Sequence, residues 1–260
     1  MDVSRAGRIA ISMYERLAAS YDNDLRDEFS RVCADTAARH LQGHGILPPA
    51  QILDLACGTG LTAYHLQDQR YRVTGIDASQ DMLAIARARV PASGKAPRFL
   101  HGDIRALPDF GPFSAALCFG DVLNHLLQAQ DVLAVLNSVH SVLAPGGWLI
   151  GDTNTLETYR SKMWNNELPP NSWGDLQLRK RSCFDEDEGL GHMECQIYQP
   201  GKAPEVHILT ERYHPPETVT GWLEQAGFAD VQERPFNPLD VQEAYPGIRT
   251  LKTLWTARKL

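Results

Sequence analysis

No run of about 20 apolar residues occurs anywhere in the chain, so nothing in it reads as a membrane-spanning helix. The N-terminus also lacks the uninterrupted apolar stretch of a secretory signal, because Arg5, Arg8, Glu15 and Arg16 break it up. Cysteine is scarce: Cys33, Cys57, Cys118, Cys183 and Cys195 are five, an odd number, without a C-x-x-C pair. That excludes a disulfide framework and the common zinc motifs, and points to reduced thiols. His192-x-x-Cys195 with Cys183 lacks a second matched pair and reads as unliganded strand, so no metal is expected there. Basic charge is short as well, with 25 Lys and Arg against 32 Asp and Glu and a net charge of -7. A broad footprint for nucleic acid or anionic lipid is therefore not expected, although Arg179-Lys180-Arg181 makes a local basic patch. The Asn-Pro-Pro-aromatic type of motif used on flipped bases is missing; Asn165-Asn166-Glu167-Leu168-Pro169-Pro170 does not match it. These absences leave a cytoplasmic protein, monomer or homodimer, acting on a small molecule, with no nucleic-acid or membrane partner.

What is present is a chain of 260 residues with 43% apolar content, enough for one sizeable core. From 10 to 42 the apolar positions Ile11, Tyr14, Leu17, Leu25, Phe29, Val32 and Leu41 recur at three- and four-residue spacings, interrupted at 20–23. Two N-terminal helices joined by a turn follow from that spacing. Short apolar runs at 51–56, 72–76, 98–101, 115–119 and 148–152 then alternate with helical stretches at 61–69, 79–89 and 130–143. Such alternation implies a parallel sheet covered on both faces. From 176 to 214 the texture changes to three alternating runs, at 176–183, 191–198 and 205–213, separated by the acidic stretch 185–189 and by Pro200-Gly201, which suits an antiparallel insertion. A capped helix at 215–227 and strands near Val231 and at 250–257 close the chain.

The stretch Ile52-Leu53-Asp54-Leu55-Ala56-Cys57-Gly58-Thr59-Gly60 ends a strand on glycines that let the backbone turn sharply and approach a ligand. Asp77 follows Gly60 by seventeen residues at the end of the next strand, where a carboxylate can accept both ribose hydroxyl protons of an adenosine. Gly58-x-Gly60-x-x-Ala63 also fits a dinucleotide fingerprint, so NAD or FAD must be weighed. Two further acids, Asp54 inside the strand and Asp103 after the next one, tip the balance. A pyrophosphate disfavours carboxylates nearby, whereas a sulfonium with an amino group favours them.

Four stretches in order, Leu53 through Gly60, Gly75-Ile76-Asp77-Ala78-Ser79-x-Asp81-Met82-Leu83, Gly102-Asp103-Ile104 and Leu143-Ala144-Pro145-Gly146-Gly147, resemble the motifs of class I S-adenosylmethionine-dependent methyltransferases. The resemblance covers 21–152, and Ala226-Gly227-Phe228 is similar to the start of that family's final strands. It implies a Rossmann-like α/β fold, a seven-stranded doubly wound sheet with its last strand antiparallel. It implies S-adenosyl-L-methionine as cofactor and S-adenosyl-L-homocysteine as product. Gly58 and Gly60 would face the methionine moiety and Asp77 the ribose, with Asp54, Ala56, Ala78 and Gly102 among the other cofactor-binding residues. Met82 would face the adenine, and Asp103 with the Ile104 amide its edge. Tyr21-Asp22 resembles the Tyr-Asp of N-terminal helices that fold over the cofactor, where the tyrosine closes the site and contacts the cofactor, which makes Tyr21 a catalytic and cofactor-binding candidate; packing is the alternative role.

The stretch from Phe119 to Leu126 follows a central strand, and ligands of open α/β sheets bind beyond the carboxyl ends of their strands. Phe119 is placed by this at the cofactor, and Asn124, His125, Asn154 and Trp164 at the methyl acceptor. With Asp152-Thr153-Asn154-Thr155 the stretch resembles small-molecule methyltransferases that act on amines, including glycine and amino-sugar N-methyltransferases. His125 is the candidate base, because imidazole titrates in the useful range; packing a helix is the competing role. Asp121, Asp152 and Asn154 make a conceivable magnesium set, but the other signatures of such enzymes are missing. Trp164, Trp173 and Tyr159 line an aromatic pocket or fill a core. One domain over 1–260 is expected: a helical cap at 1–45, a cofactor-binding core at 46–160, an antiparallel β insertion at 175–214 over the substrate, and a C-terminal helix and strands at 215–260. The activity implied is methyl transfer to a nitrogen or oxygen of a small organic molecule. A NAD-dependent oxidoreductase and a non-catalytic S-adenosylmethionine-binding protein are the rivals.

Overall fold

The computed structural model describes residues 13–22, 24–90, 94–173, 176–240 and 248–260. Residues 13–17 are helical and run into a tight turn at Ala18–Ser20; α1 follows at Asp24–Gly43. The expected pair of N-terminal helices is therefore present from residue 13, and its first residues, 10–12, lie outside the described residues. The core alternates as β1 Gln51–Leu55, α2 Leu61–Asp68, β2 Arg72–Asp77, α3 Gln80–Ala88, β3 Arg98–His101, β4 Phe113–Cys118, α4 Ala129–Val142 and β5 Leu143–Asn154. After the short α5 Leu156–Arg160 come β6 Asn166–Trp173, β7 Leu176–Asp185, β8 Leu190–Tyr198 and β9 Glu205–Arg212, then α6 Pro216–Gln225, β10 Phe228–Phe236 and β11 Lys252–Lys259.

One sheet has seven strands in the order β10-β11-β5-β4-β1-β2-β3. The strands from β5 to β3 are parallel, while β11 runs antiparallel to both β5 and β10. Because successive side chains point to opposite faces, the apolar runs feed two cores at once. On one face Ile52, Leu117, Ile150 and Leu254 meet Leu41 of α1, Leu66 of α2 and Leu83 of α3. On the other, Leu53, Ala116, Leu149 and Trp255 meet Val135 and Val139 of α4 and Leu223 of α6. Gly151 of β5 has no room for a side chain: a Cβ there would lie 2.4 Å from the Trp255 ring and 2.5 Å from the Cys118 carbonyl.

The second sheet, β6-β7-β8-β9, is antiparallel; β7 to β9 fall in the expected insertion, and β6 lies ahead of its bounds, one strand more than the three runs predict. The Pro-rich stretch 166–173 reads as a connection but forms β6. Proline removes a ladder donor, which an edge strand tolerates, and the pairing shifts register between Leu168 and Asn171, around the two prolines. The inner face of this sheet packs Leu178, Cys195, Ile197 and Leu209 on Met13 and Leu17 of the N-terminal segment. Arg16 ties the two together through Glu205 at 3.0 Å and Gln199 at 2.8 Å. Among the described residues no helix is long and apolar enough to cross a membrane.

Candidate active site

The carboxyl ends of β1, β2, β4 and β5 open on a cavity of about 630 Å³, roofed by the N-terminal segment and by β7, β8 and β9. Its size falls within the usual range for small-molecule sites. At one end Gly58 turns with φ +53, and nothing lies within 4 Å of where its Cβ would be, leaving an open cradle of bare backbone. Asp77 accepts from the Gly58 amide at 2.7 Å and the Ser79 amide at 2.8 Å, which holds its carboxylate against the loop. Burial raises its pKa, and those two bonds oppose the rise. Asp54 is 3% exposed, and its Oδ2 has no hydrogen-bond partner among the described residues. Burial, then the neighbouring Asp77, push its carboxyl up to about 7. A buried acceptor left without a partner is costly, and a cationic ligand group satisfies it. Bare backbone at Gly58, a held carboxylate at Asp77 and an unmet acceptor at Asp54 fit an aminoacyl nucleoside cofactor.

Ala56, Ala78, Met82, Gly102, Ile104 and Phe119 line the same end, as the motifs predict. Met82 is anchored by its amide, which donates to the Ser79 hydroxyl at the start of α3. Asp103 lines the rim but is bound to Arg105 at 2.7 Å, and those hydrogen bonds hold its carboxyl below the usual range. Gly60 is not on the wall; with φ +79 it opens α2, and a Cβ there would lie 2.6 Å from the Phe99 ring. Tyr21 lies on the wall, with Arg26 4.6 Å above its ring and Tyr14 packed edge-on at 6.0 Å.

At the other end the His125 Nε2 and the Tyr14 hydroxyl are hydrogen-bonded at 3.1 Å, and Glu211 Oε1 of β9 lies 4.0 Å from that nitrogen. Burial lowers the His125 pKa against the opposing pull of Asp121, so the imidazole is neutral and can accept a proton. Its Nδ1 is buried with no partner among the described residues. Asp121, with φ +55, precedes this turn and pairs with Lys252 of β11 at 2.7 Å. The three oxygens that form a conceivable magnesium set converge on that same ammonium, Asp152 Oδ1 at 3.2 Å and Asn154 Oδ1 at 3.0 Å.

The acceptor candidates divide. Asn154 lines the cavity, but its amide nitrogen donates to Glu211 Oε2 and its oxygen accepts from Lys252. Asn124 does not reach the cavity: it is fully buried, donating to the Arg212 carbonyl at 2.8 Å and accepting from the Asn154 amide at 3.0 Å. Its amide bridges two strands and is spent on the scaffold, which corrects its placement at the acceptor. Trp164 lines the cavity with its ring 5.0 Å from Tyr159, which is buried behind it; the Trp173 side chain lies outside the described residues.

Tyr14, Glu211 and Lys252 escape sequence reasoning. Only Glu211 leaves a signal: in the alternation of β9 it takes the same inward face as Leu209, where an acid is out of place.

Residues 52–147 match the family described as "methyltransferase domain". A putative methyltransferase of Geobacillus sp. is 31% identical over 147 residues, 56% of this chain and 59% of that one. The dTDP-3-amino-3,6-dideoxy-alpha-D-glucopyranose N,N-dimethyltransferase of Streptomyces fradiae is 35% identical over 126 residues, 47% of this chain and 46% of that one. The chain thus spans about half the length of the curated relatives it matches. Among solved structures, an S-adenosylmethionine-dependent methyltransferase from Clostridium acetobutylicum superposes with a TM-score of 0.73 at 19% identity, over 95% of this chain and 96% of that one. The sugar N-methyltransferase KedS8 from Streptoalloteichus sp. gives 0.69 at 16% identity, over 95% and 92%. At those identities the structures speak for the fold alone. Residues 52–147 thus carry a methyltransferase domain, and the chain as a whole shares its fold with S-adenosylmethionine-dependent methyltransferases of known structure.

Proposed function

We propose that the protein transfers a methyl group from S-adenosylmethionine to a nitrogen or oxygen of a small organic molecule held in the same cavity. The observation that carries this is the cavity's two-ended construction: the Gly58, Asp77 and Asp54 cradle at one end and the Tyr14, His125 and Glu211 cluster at the other. When bound, the cofactor supplies a sulfonium methyl, an electrophilic carbon. In-line displacement there asks the protein mainly for alignment and exclusion of water.

In this reading Asp77 accepts the ribose hydroxyls, Asp54 receives the amino group, Met82 packs on the adenine, and Gly102, Asp103 and Ile104 line its edge. Tyr21 closes the cofactor end, and His125 accepts or orients the acceptor proton. Trp164 and Asn154 shape the acceptor end. The helical segment and the antiparallel sheet act as the cover, since both already wall the cavity. Nitrogen is favoured over oxygen, because the relative from Streptomyces fradiae is named as an N,N-dimethyltransferase and the acceptor end is rich in acceptor atoms. A NAD-dependent oxidoreductase is disfavoured by Asp54, whose buried carboxylate beside the loop repels a pyrophosphate.

Calorimetric titration of the protein with S-adenosylhomocysteine, S-adenosylmethionine and NAD, repeated on Asp77→Ala, tests the reading. Binding of the first two that Asp77→Ala weakens is the expected result. Preference for NAD, or no binding of either sulfur compound, overturns it.

A further inference from the structure

We propose that Glu211 receives the acceptor's nitrogen, and that the acceptor is an amine that enters as an ammonium ion on a largely apolar body. The inference rests on methyl transfer being the activity of this cavity and names the substrate class for it.

Glu211 sits where an acid is expensive. It is 3% exposed on the inward face of β9, next to Leu209, while Val206 and Ile208 point outward at 57% and 53% exposure. Burying a carboxylate costs several kcal/mol unless its oxygens are met. Oε2 is met by two neutral donors, the Tyr159 hydroxyl at 2.8 Å and the Asn154 amide at 3.1 Å. Oε1 faces His125 Nε2 at 4.0 Å, and the Arg26 guanidinium on the same cavity feels the carboxylate's charge. The Lys252 ammonium is committed to Asp121, Asp152 and Asn154. Burial first, then Asp121, accordingly push the Glu211 carboxyl up to about 8 when no ligand is present.

The spacing of the cluster supplies the ligand's shape. One carboxylate oxygen of Asp121, one ring nitrogen of His125 and one carboxylate oxygen of Glu211 all lie within 4.8 Å of one another. An atom centred among three points at that separation is at most about 2.8 Å from each, the length of an N–H to oxygen hydrogen bond. An ammonium has three donors and a positive charge to offer the two carboxylate oxygens, beside a His125 whose Nε2 already bonds the Tyr14 hydroxyl; an alcohol has one donor and no charge. Met13, Leu17, Met163, Trp164, Met193 and Leu209 line the same cavity, together with Arg26 and Lys180, which calls for a largely apolar body behind the nitrogen.

The chemistry balances. A positive charge beside Glu211 favours its ionised form, which then takes one N–H proton of the ammonium. The freed lone pair forms the nitrogen–carbon bond as the carbon–sulfur bond breaks and its electron pair stays on sulfur. The product leaves as the methylated ammonium, and the proton on Glu211 passes to water on release.

The test titrates the full chain, saturated with S-adenosylhomocysteine, with benzylamine, N-methylbenzylamine and benzyl alcohol. Both amines are expected to bind at least about tenfold more tightly than the alcohol, and Glu211→Gln to lower amine affinity by about ten- to hundredfold, the effect of one buried charge-assisted hydrogen bond. S-adenosylhomocysteine affinity is expected to stay unchanged in that variant, which also reports that it folds. Tyr159→Phe, which loosens the carboxylate without changing its charge, is expected to lose a smaller part and serves if the Gln variant does not fold. Amines that fail to bind, an alcohol that binds as well, or full amine affinity in Glu211→Gln overturns the proposal. So does binding of Zn²⁺ or Mg²⁺ alone that Glu211→Gln abolishes, since the cluster is then a metal site. Failure of S-adenosylhomocysteine itself to bind sinks the underlying methyl-transfer reading instead.

Discussion

The Lys252 ammonium lies 2.7 Å from Asp121 Oδ1, and this contact fastens the last strand of the sheet to the turn that carries His125. The same nitrogen reaches Asp152 and Asn154 on β5, and Asp152 in turn accepts from the Gly120 and Asp121 amides at 3.1 and 2.8 Å. Burial alone would lower the Lys252 pKa, but Asp121 and Asp152 outweigh it and raise it. One cation thus sets both the backbone and the charge of the acceptor end.

Removing that cation leaves the fully buried Asp152 without its counter-charge and the partly buried Asp121 with only the weaker pull of His125 and Arg26. Lys252→Met is expected to lower unfolding free energy by about 3–5 kcal/mol, the usual cost of stranding a buried charge. Urea denaturation at neutral pH reads it. Adding Asp121→Asn should recover part of the loss, and strictly additive effects of the two substitutions would contradict the coupling.

Asp22 does for the cofactor end what Lys252 does for the other. Its carboxylate accepts from the Thr59 hydroxyl at 2.5 Å and pairs with Arg89, so the turn between the N-terminal helices is latched onto the glycine loop. The pair is about 30% exposed on each side and contributes little to stability, within about 1 kcal/mol. Asp22→Ala is therefore expected to raise the S-adenosylhomocysteine dissociation constant by about tenfold, or about 1.4 kcal/mol, with a urea midpoint close to wild type. A large stability loss with unchanged affinity would show a packing role instead.

The glycine-loop end of the cavity was legible because its signals are local. Gly58 lies in the loop after β1, Asp77 ends β2, Met82 sits in the first turn of α3 and Ile104 follows β3, and such positions project onto one edge of a parallel sheet whatever else the chain does. The His125 end is assembled from far apart: Tyr14 meets His125 across 111 residues and Lys252 meets Asp121 across 131. No periodicity reports those pairings. Asn124 shows the opposite error, a polar residue in the right loop whose amide serves two backbone groups rather than a ligand. The strand at 166–173 was hidden by Pro169 and Pro170, which argue against a central strand but not against an edge.

Asp54 makes the cofactor end sensitive to pH, and the sign follows from its raised pKa. The unfolded carboxyl titrates at about 3.9, while the folded one, buried beside Asp77, titrates at about 7. Between those values the native state keeps a proton that the unfolded chain has released, so stability of the free protein falls as pH rises from about 4 to about 7. Glu211 acts in the same direction up to about 8. Asp54→Asn removes the first contribution, and its melting temperature is expected to vary less steeply over that window than that of the wild type. Ligand binding should run the other way. An ammonium placed against Asp54 favours the ionised carboxylate, so wild-type affinity for S-adenosylhomocysteine is expected to strengthen as pH rises through about 7. Asp54→Asn, with no charge to expose, should bind more weakly and with a flatter profile. Parallel melting curves together with parallel affinity profiles in the two proteins would mean that this carboxylate neither holds the extra proton nor meets the cofactor's amino group.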